Sequence, residues 1–315
     1  MNRDTLRQLM PIVTLVVLVV LVAAFQPSFV NPATLLGMAS DTATLFVLGM
    51  GVTFVIMLGG IDLSIQSVAS LASVAVALLI TPLGYLAFPV AVLVGALAGL
   101  LSGIAHVQLK IPSFIATLAV GGVAAGVALL LADAQAITLG EVERGYVGWI
   151  TGTSLGIPHE VLIALVVLAL GTVVQHYTAF GRYSQAIGAG EPAAHAAGIR
   201  VGLHKTIACM LSGAAAGLAG AILAGRLASG SPTLADQLLL PAIAAVIVGG
   251  TAITGGVGSM AAVAGAALFL THLGQMLKML GLSTAFQFII YGIAIAIGMA
   301  LAESRLGLVR RWRSR

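Results

Sequence analysis

Residues 179–206 read AFGRYSQAIGAGEPAAHAAGIRVGLHKT, and they form the longest polar interval between two runs apolar enough to cross a bilayer. Charged side chains are expensive inside hydrocarbon, so this interval is predicted to lie outside the membrane. Its middle, EPAAHAA, has four alanines and predicts a short helix over 191–197. Gly188 and Gly190 are expected to turn the chain sharply into that helix, where a positive φ would penalise any Cβ. Gly198 suits its C-terminal stop. The interval is therefore predicted to be a short helix lying flat between two spans, shaped to dock a cytoplasmic protein.

The composition is that of an integral membrane protein. Of 315 residues, 60% are hydrophobic and 8% are charged, whereas soluble domains carry roughly 25% charged residues. The 39 glycines and the 5% aromatic residues favour close packing of helices and argue against a β-barrel. The single cysteine, Cys209, excludes an internal disulfide. Basic residues at helix ends account for the net charge of +4, so no nucleic-acid partner is expected.

Hydrophobic runs of about 20 residues predict an all-α, polytopic bundle of about ten transmembrane helices in a single domain over 1–315. The first run, 9–25, is interpreted as a span rather than a cleaved signal peptide, because further spans follow and no secreted domain does. The predicted spans cover about 9–25, 34–58, 63–80, 85–105, 113–132, 160–178, 205–225, 238–250, 259–280 and 284–302.

The distribution of basic residues orients these spans. With both termini cytoplasmic, the cytoplasmic side receives 11 of the 14 basic residues, and the inverted orientation would reverse this. Those on the cytoplasmic side are Arg3, Arg7, Lys110, Arg182, Arg200, Lys205, Arg305, Arg310, Arg311, Arg313 and Arg315. The polar interval is thereby predicted to lie in the cytoplasm, without having been assumed to.

Two glycine-broken spans lie at corresponding places in the two halves of the chain, after the second and the eighth span. In the first, Asp62 and Ser64 follow Gly59-Gly60; in the second, Gly249, Gly250 and Thr251 open the sequence GGTAITGG. Such breaks mark the solute pathway in transporters, because freed backbone groups are tolerated only beside protein or a water-filled cavity. The alternative at the second break is that GGTAITGG is simply a loop that connects two spans.

Two aspartates need an explanation in a membrane protein. Asp62 or Ser64 is expected either to cap the third span or to act in the pathway, and both roles are compatible. Asp41 lies inside a predicted span, with no basic neighbour in sequence, and is a second pathway candidate. A span boundary misplaced by several residues is the alternative for Asp41.

No catalytic motif is visible. A nucleotide-binding phosphate loop requires G-x-x-x-x-G-K-[ST], whereas two residues separate Gly202 from Lys205 in the nearest approach. The six histidines never pair at metal-ligand spacing on one helix face. We therefore expect no enzymatic activity, no cofactor and no metal site.

The polar interval also resembles the cytoplasmic coupling loop of permease subunits of bacterial ABC importers of the ribose, or monosaccharide, type, which tends to read AIGGNxxAAxxxGI. Gly190 stands for the usual Asn, and His195 for a usual Arg. The matching positions are Ala186, Ile187, Gly188, Glu191, Ala193, Ala194, Gly198 and Ile199. GGIDLS (59–64) and IAAVIVGGTAITGGVGS (243–259) extend the resemblance over most of the chain, and Phe114 and Thr117 in PSFIATL resemble the entry to the family's fifth span, although a packing role explains them equally.

The resemblance implies a non-catalytic transport subunit in the bacterial inner membrane. Two such permeases, identical or related, would form the pore within the lipid bilayer. Separate cytoplasmic ATPase subunits would bind the coupling loop, about 179–204, and a periplasmic solute-binding protein would deliver the sugar. Two departures put the solute in doubt: Gln66 stands where the family has glycine, and the stretch before IAAV lacks an acidic residue. A branched-chain amino acid permease of the same superfamily, and an ion-coupled secondary transporter, remain the alternatives.

Overall fold

A computed structural model describes residues 31–297, and the predicted first span and the basic tail lie outside these residues. The helices are α1 (Pro32–Met57), α2 (Ile65–Leu83), α3 (Ala87–Gln108), α4 (Ser113–Leu131), α5 (Glu141–Val147), α6 (His159–Tyr177), α7 (Ala179–Ala189), α8 (Glu191–Ala196), α9 (Val201–Leu227), α10 (Leu239–Val248), α11 (Met260–Met279) and α12 (Thr284–Ile297). Two short antiparallel pairs complete the fold: β1 (Ile137–Thr138) with β4 (Ser229–Gly230), and β2 (Thr153–Ser154) with β3 (Ile157–Pro158).

Within residues 31–297, six helical segments are long and apolar enough to cross a membrane. One of them, Ile65–Gln108, has 44 residues and comprises α2 and α3, which turn at Gly84 and pack against each other. Helices α10 and α12 are apolar but shorter. The prediction of a polytopic helical membrane protein is confirmed, while the count of ten spans and the position of the termini stay predictions.

The polar interval is more regular than its sequence suggested. The predicted short helix is present as α8, but a second helix, α7, precedes it and was not predicted. The hydroxyl of Thr178 caps α7 by accepting a hydrogen bond from the N–H of Gly181 at 3.3 Å. Helix α9 begins at Val201, four residues before the predicted span. The interval is thus a pair of short helices joined at Gly190.

Glycine lets the central helices approach to backbone contact. Helix α9 packs against α3, α1 and α2. A Cβ at Gly95 of α3 would lie 2.2 Å from the carbonyl oxygen of Gly213 in α9. A Cβ at Gly99 would lie 2.1 Å from the carbonyl oxygen of Cys209. This is the close helix packing that the glycine content predicted.

The helix ends form two groups. The C-terminus of α1 and the N-termini of α4 and α9 lie beside α7 and α8. We call this the α8 end of the bundle. The other end, which we call the opposite end, carries α5, both strand pairs and the first residues of α6.

Candidate functional site

The segment at the α8 end has the local structure that its sequence predicts. Pro192 lies in the first turn of α8, where its missing N–H costs nothing. Gly198 ends the helix with φ +82, and the N–H of Ile199 donates to the carbonyl of Ala194 at 3.1 Å. The side chain of Ala194 is buried, whereas that of Ala193 is exposed. Helix α8 therefore rests on the bundle through Ala194 and exposes its other residues, Ala193 among them.

The reason for the glycines before α8 differs from the prediction. Gly188 lies inside α7, and Gly190 has φ 179, an extended conformation that any residue adopts. The expectation of a positive φ at Gly190 is therefore wrong. At Gly188 the constraint is space: a Cβ there would lie 2.0 Å from the carbonyl oxygen of Met57 and 2.1 Å from the nitrogen of Gly256. A Cβ at Gly190 would meet only the Cβ of Ala193, at 3.9 Å.

Three segments of the chain meet at this point, which we call the α8-end junction: Met57, Gly188, Gly255 and Gly256. The N–H of Gly256 donates to the carbonyl oxygen of Met57 at 2.8 Å. Gly255 has φ +89, and a Cβ on it would lie 2.8 Å from the Cα of Gly188. The end of α1, the end of α7 and the loop between α10 and α11 thus touch through backbone atoms. The glycine pair was visible in the sequence, but its contact with the polar interval was not predicted.

The turn after Gly59-Gly60 is held by two hydroxyls of α4. The N–H of Ile61 donates to Ser113 Oγ at 2.9 Å, and the N–H of Leu63 donates to Thr117 Oγ1 at 3.1 Å. These bonds give a partner to two backbone N–H groups that lie outside any helix and so have no helical hydrogen bond. Thr117 is fully buried, so its position in the structure gives it a defined role in supporting the turn.

Asp62 lies within this turn, and its side chain is 1% exposed. Its Oδ1 accepts bonds from the N–H and the hydroxyl of Ser64, at 2.8 and 2.6 Å. Its Oδ2 has no hydrogen-bond partner among the residues described. Ser64 occupies the N-cap position of α2 but makes no side-chain capping bond. Ser64 is therefore the N-cap residue, as one of the two candidates predicted, although its hydroxyl bonds to Asp62 and not to the helix. A pathway role for Asp62 and Ser64 stays a prediction.

A cavity of about 470 Å³ lies between the polar interval and this turn. It brings residues of the predicted coupling loop next to a pathway candidate: Gly188 and Glu191 line it together with Phe114, which is half-exposed. Lys205 also lines the cavity, and its Nζ lies 2.7 Å from Glu191 Oε2.

The second glycine break ends α10 after ten residues, which confirms the unusually short helix. Gly249 is buried, and a Cβ there would lie 2.8 Å from the Cα of Val263 in α11. Gly250 has φ +82 and is exposed. Thr251 is buried, and its hydroxyl has no hydrogen-bond partner among the described residues. These residues stay pathway candidates.

Asp41 lies apart from the other candidates, near the opposite end. It lies 16 positions before Met57, or about 24 Å along α1. Its Oδ1 forms an ion pair with Nη2 of Arg226 in α9, and its Oδ2 accepts a hydrogen bond from Gln275 of α11 at 2.8 Å. Arg226 Nε also lies 3.6 Å from Oε1 of Glu160, which is buried at the start of α6. We call these four residues the opposite-end cluster.

The cluster explains how a carboxylate is tolerated at Asp41, because both of its oxygens have partners. A role for Asp41 in the solute pathway stays a prediction. Sequence reasoning missed the partners because Arg226 and Gln275 are 185 and 234 positions away. The available signal was the rule that an acid within a span pairs with another polar group.

Comparisons with known proteins agree along nearly the whole chain. A family model described as branched-chain amino acid transport system / permease component matches residues 34–299. The ribose import permease protein of Bacillus subtilis is 36% identical over 304 residues, which cover 95% of this chain and 94% of that protein. The protein of the same name in Haemophilus influenzae is 33% identical over 300 residues, covering 94% and 92%. The L-arabinose transport system permease protein of Escherichia coli is 30% identical over 295 residues, covering 90% and 87%.

Proposed function

Since the chain belongs to the family of branched-chain amino acid transport system permease components, we propose that it is the permease subunit of an ATP-binding cassette importer. It carries a monosaccharide, or a related small polar solute, across the bacterial inner membrane. It performs no catalysis, and a separate cytoplasmic ATPase supplies the energy.

The α8-end junction is the observation that carries this proposal. Helix α8 offers an outward face, while α7 touches the end of α1 and the α10–α11 loop through atoms that leave no room for a Cβ. Close-packed groups transmit displacement because they cannot absorb it. A push on α8 by an ATPase therefore moves both glycine-broken segments at once. This is what coupling of nucleotide hydrolysis to transport requires.

The pathway runs past these segments. Asp62, Ser64, Phe114 and Thr117 lie at the first break. Phe114 lines the cavity there, while Thr117 holds the turn that carries Asp62 and Ser64. At the second break, Gly249, Gly250 and Thr251 follow the end of α10, with Gly249 and Thr251 buried. We place Asp41 at the entrance rather than beside these residues, because it lies at the opposite end.

The partners follow from this arrangement. The α8 end faces the cytoplasm and the ATPase subunits, in agreement with its basic residues. The opposite end faces the periplasmic solute-binding protein. A second permease subunit, identical or related, completes the pore.

The relatives support a sugar over a branched-chain amino acid. The three relatives described above are named for ribose or L-arabinose import, while the family description names branched-chain amino acids. An ion-coupled transporter has less support, because one of its two candidate carboxylates, Asp41, is already paired with Arg226.

Reconstitution tests the proposal. The chain, its ATPase and its binding protein are placed in proteoliposomes, and uptake of radiolabelled ribose, L-arabinose and leucine is measured. We expect uptake of a sugar that requires ATP and persists when ionophores collapse ion gradients. We also expect no ATP hydrolysis by the chain alone, because its sequence has no phosphate loop. Uptake driven by an ion gradient without ATP would refute the proposal.

A further inference from the structure

A second concave surface lies within the polar interval, and none of the residues that line it belongs to the α8-end junction. It has a volume of about 420 Å³ and lies between α7 and the first turn of α9. Tyr183, Leu203 and His204 form its walls, and the turn Ala197–Ile199, which ends α8, forms its floor. We call it the α7–α9 groove.

The walls of the groove are held in place before any ligand binds. The ring of His204 stacks on that of Phe180, with centroids 5.8 Å apart and an angle of 11° between the planes. Tyr183 meets the same imidazole edge-on at 5.4 Å. Nδ1–H of His204 donates to the carbonyl oxygen of Arg200 at 2.9 Å. Tyr183 and Leu203 nevertheless remain 43% and 49% exposed, so a preformed apolar slot is open to solvent.

The charge around the groove has one sign. Arg200 lines it, and Arg182 precedes Tyr183 on α7. Neither arginine has a carboxylate partner within residues 31–297, whereas the acid of this segment, Glu191, is held by Lys205 at 2.7 Å. Surfaces that bind each other usually have complementary potentials. An occupant of the groove therefore needs negative charge beside an apolar side chain.

We propose that the α7–α9 groove receives an acidic segment of the ATPase subunit, which sets an apolar side chain between Tyr183 and Leu203 and a carboxylate against Arg200. This rests on the proposed function, and it adds an anchor beside α8. The floor of the groove is the turn that ends α8, so an occupant of the groove contacts the element that passes on movement. An anionic lipid headgroup meets the charge requirement but has no apolar group to place between Tyr183 and Leu203, so we favour the protein segment.

Site-directed cross-linking tests the occupant directly. The photo-reactive residue p-benzoylphenylalanine replaces Leu203 in the full chain, in cells that make the complete transporter. The matched control carries it at Val142, which is 72% exposed at the opposite end. We expect a Leu203 adduct with the chain that bears the phosphate loop, on a peptide containing Asp or Glu, and no such adduct from Val142. An adduct with lipid or with a second copy of this chain would overturn the proposal.

Charge reversal tests the carboxylate. We expect Arg200→Glu to weaken association with the ATPase by about tenfold, Arg200→Lys to keep most of it, and a Lys replacing the acid on the cross-linked peptide to restore it. Unchanged association of the Arg200→Glu variant, in a transporter that still couples ATP to uptake, would overturn this inference alone. Failure of any ATPase to associate with the unaltered chain would instead overturn the proposed function.

Discussion

The two ends of the bundle are held together by opposite kinds of contact. At the α8-end junction, Gly188 and Gly256 meet Met57 through neutral backbone atoms, at distances that admit no side chain. At the opposite-end cluster, four helices are joined by long polar side chains, with Arg226 between Asp41 and Glu160. The first contact requires that the glycines have no side chain, and the second requires charged side chains.

This difference assigns the ends different mechanical properties. Backbone atoms in contact cannot move independently, so the α8-end junction passes on a displacement with little loss. Long side chains can rotate and keep their partners, and Arg226 offers several donors for this. The opposite-end cluster can therefore hold α1, α6, α9 and α11 together while their relative positions change. A rigid end on which the ATPase acts, and an adaptable end on the far side of the bundle, suit the importer proposed above.

The largest effect is expected from filling the α8-end junction. Gly188→Val places two methyl groups and a Cβ where Met57 and Gly256 already stand, and overpacking of this kind costs about 1–3 kcal/mol. If that cost falls on the coupling step, ATP-driven uptake falls by about tenfold to a hundredfold. Expression of the variant should stay near normal. Uptake in proteoliposomes and the amount of folded protein are the measurements.

The matched control for that variant is Gly190→Ala. Its φ of 179 and its open surroundings predict uptake close to that of the unaltered chain. Equal losses at both glycines would show that the segment is sensitive to any change, and the comparison of the two ends would lose its basis.

The next largest effect is expected at the opposite-end cluster. Arg226→Ala leaves the buried Glu160 and the adjacent Asp41 without their cation, which lowers the free energy of unfolding by about 1–2 kcal/mol. The estimate is modest because the side chain of Arg226 is 27% exposed. Thermal unfolding in detergent measures the effect, with Arg226→Lys as a control that retains the charge. An unchanged melting temperature in the Arg226→Ala variant would mean that the cluster does not contribute to the stability of the fold.

A smaller loss is expected for Asp41→Asn. The amide keeps one oxygen as an acceptor but loses the charge that pairs with Arg226, so we expect about 0.5–1 kcal/mol. A double-mutant cycle with Arg226→Gln isolates the pair energy. Additive losses in that cycle would show that the two side chains do not interact.

The smallest effect is expected for Glu191→Gln. The ion pair with Lys205 is exposed, with Glu191 53% accessible, and pairs of this kind contribute about 0.2–1 kcal/mol. Stability and uptake should both stay nearly unchanged in low-salt and high-salt buffer. A large loss of uptake would instead give Glu191 a direct contact with the ATPase.

Sequence reasoning was most successful where the signal was local. Hydrophobic runs located the described spans to within a few residues, and the alanines, Pro192 and Gly198 correctly predicted α8. Gly188 was selected as important, but for a wrong reason, because the prediction considered only its own φ angle. Its actual constraint comes from Met57 and Gly256, which no local pattern reveals.

Non-local contacts also explain what was missed at the opposite end. Asp41 and Gln275 are 234 positions apart. A hydrogen bond between two helices so far apart in the chain produces no pattern that can be recognised in a single sequence. The sequence predicts that an acid in a span needs a partner, yet several basic and amide residues qualify. Only the packing of α1 against α9 and α11 identifies Arg226 and Gln275.

Coupling through α8 requires that the α8 end face the cytoplasm and the opposite end face the periplasm, and cysteine labelling measures this directly. Single cysteines replace Ala189 at the α8 end and Ser154 at the opposite end, both exposed, in a Cys209→Ser background. Intact cells are then treated with a membrane-impermeant thiol reagent. We expect labelling of the Ser154→Cys chain in intact cells, and labelling of the Ala189→Cys chain only after the cells are opened. Labelling of the Ala189→Cys chain in intact cells would place α8 outside the cell, beyond the reach of any cytoplasmic ATPase, and would contradict coupling through α8.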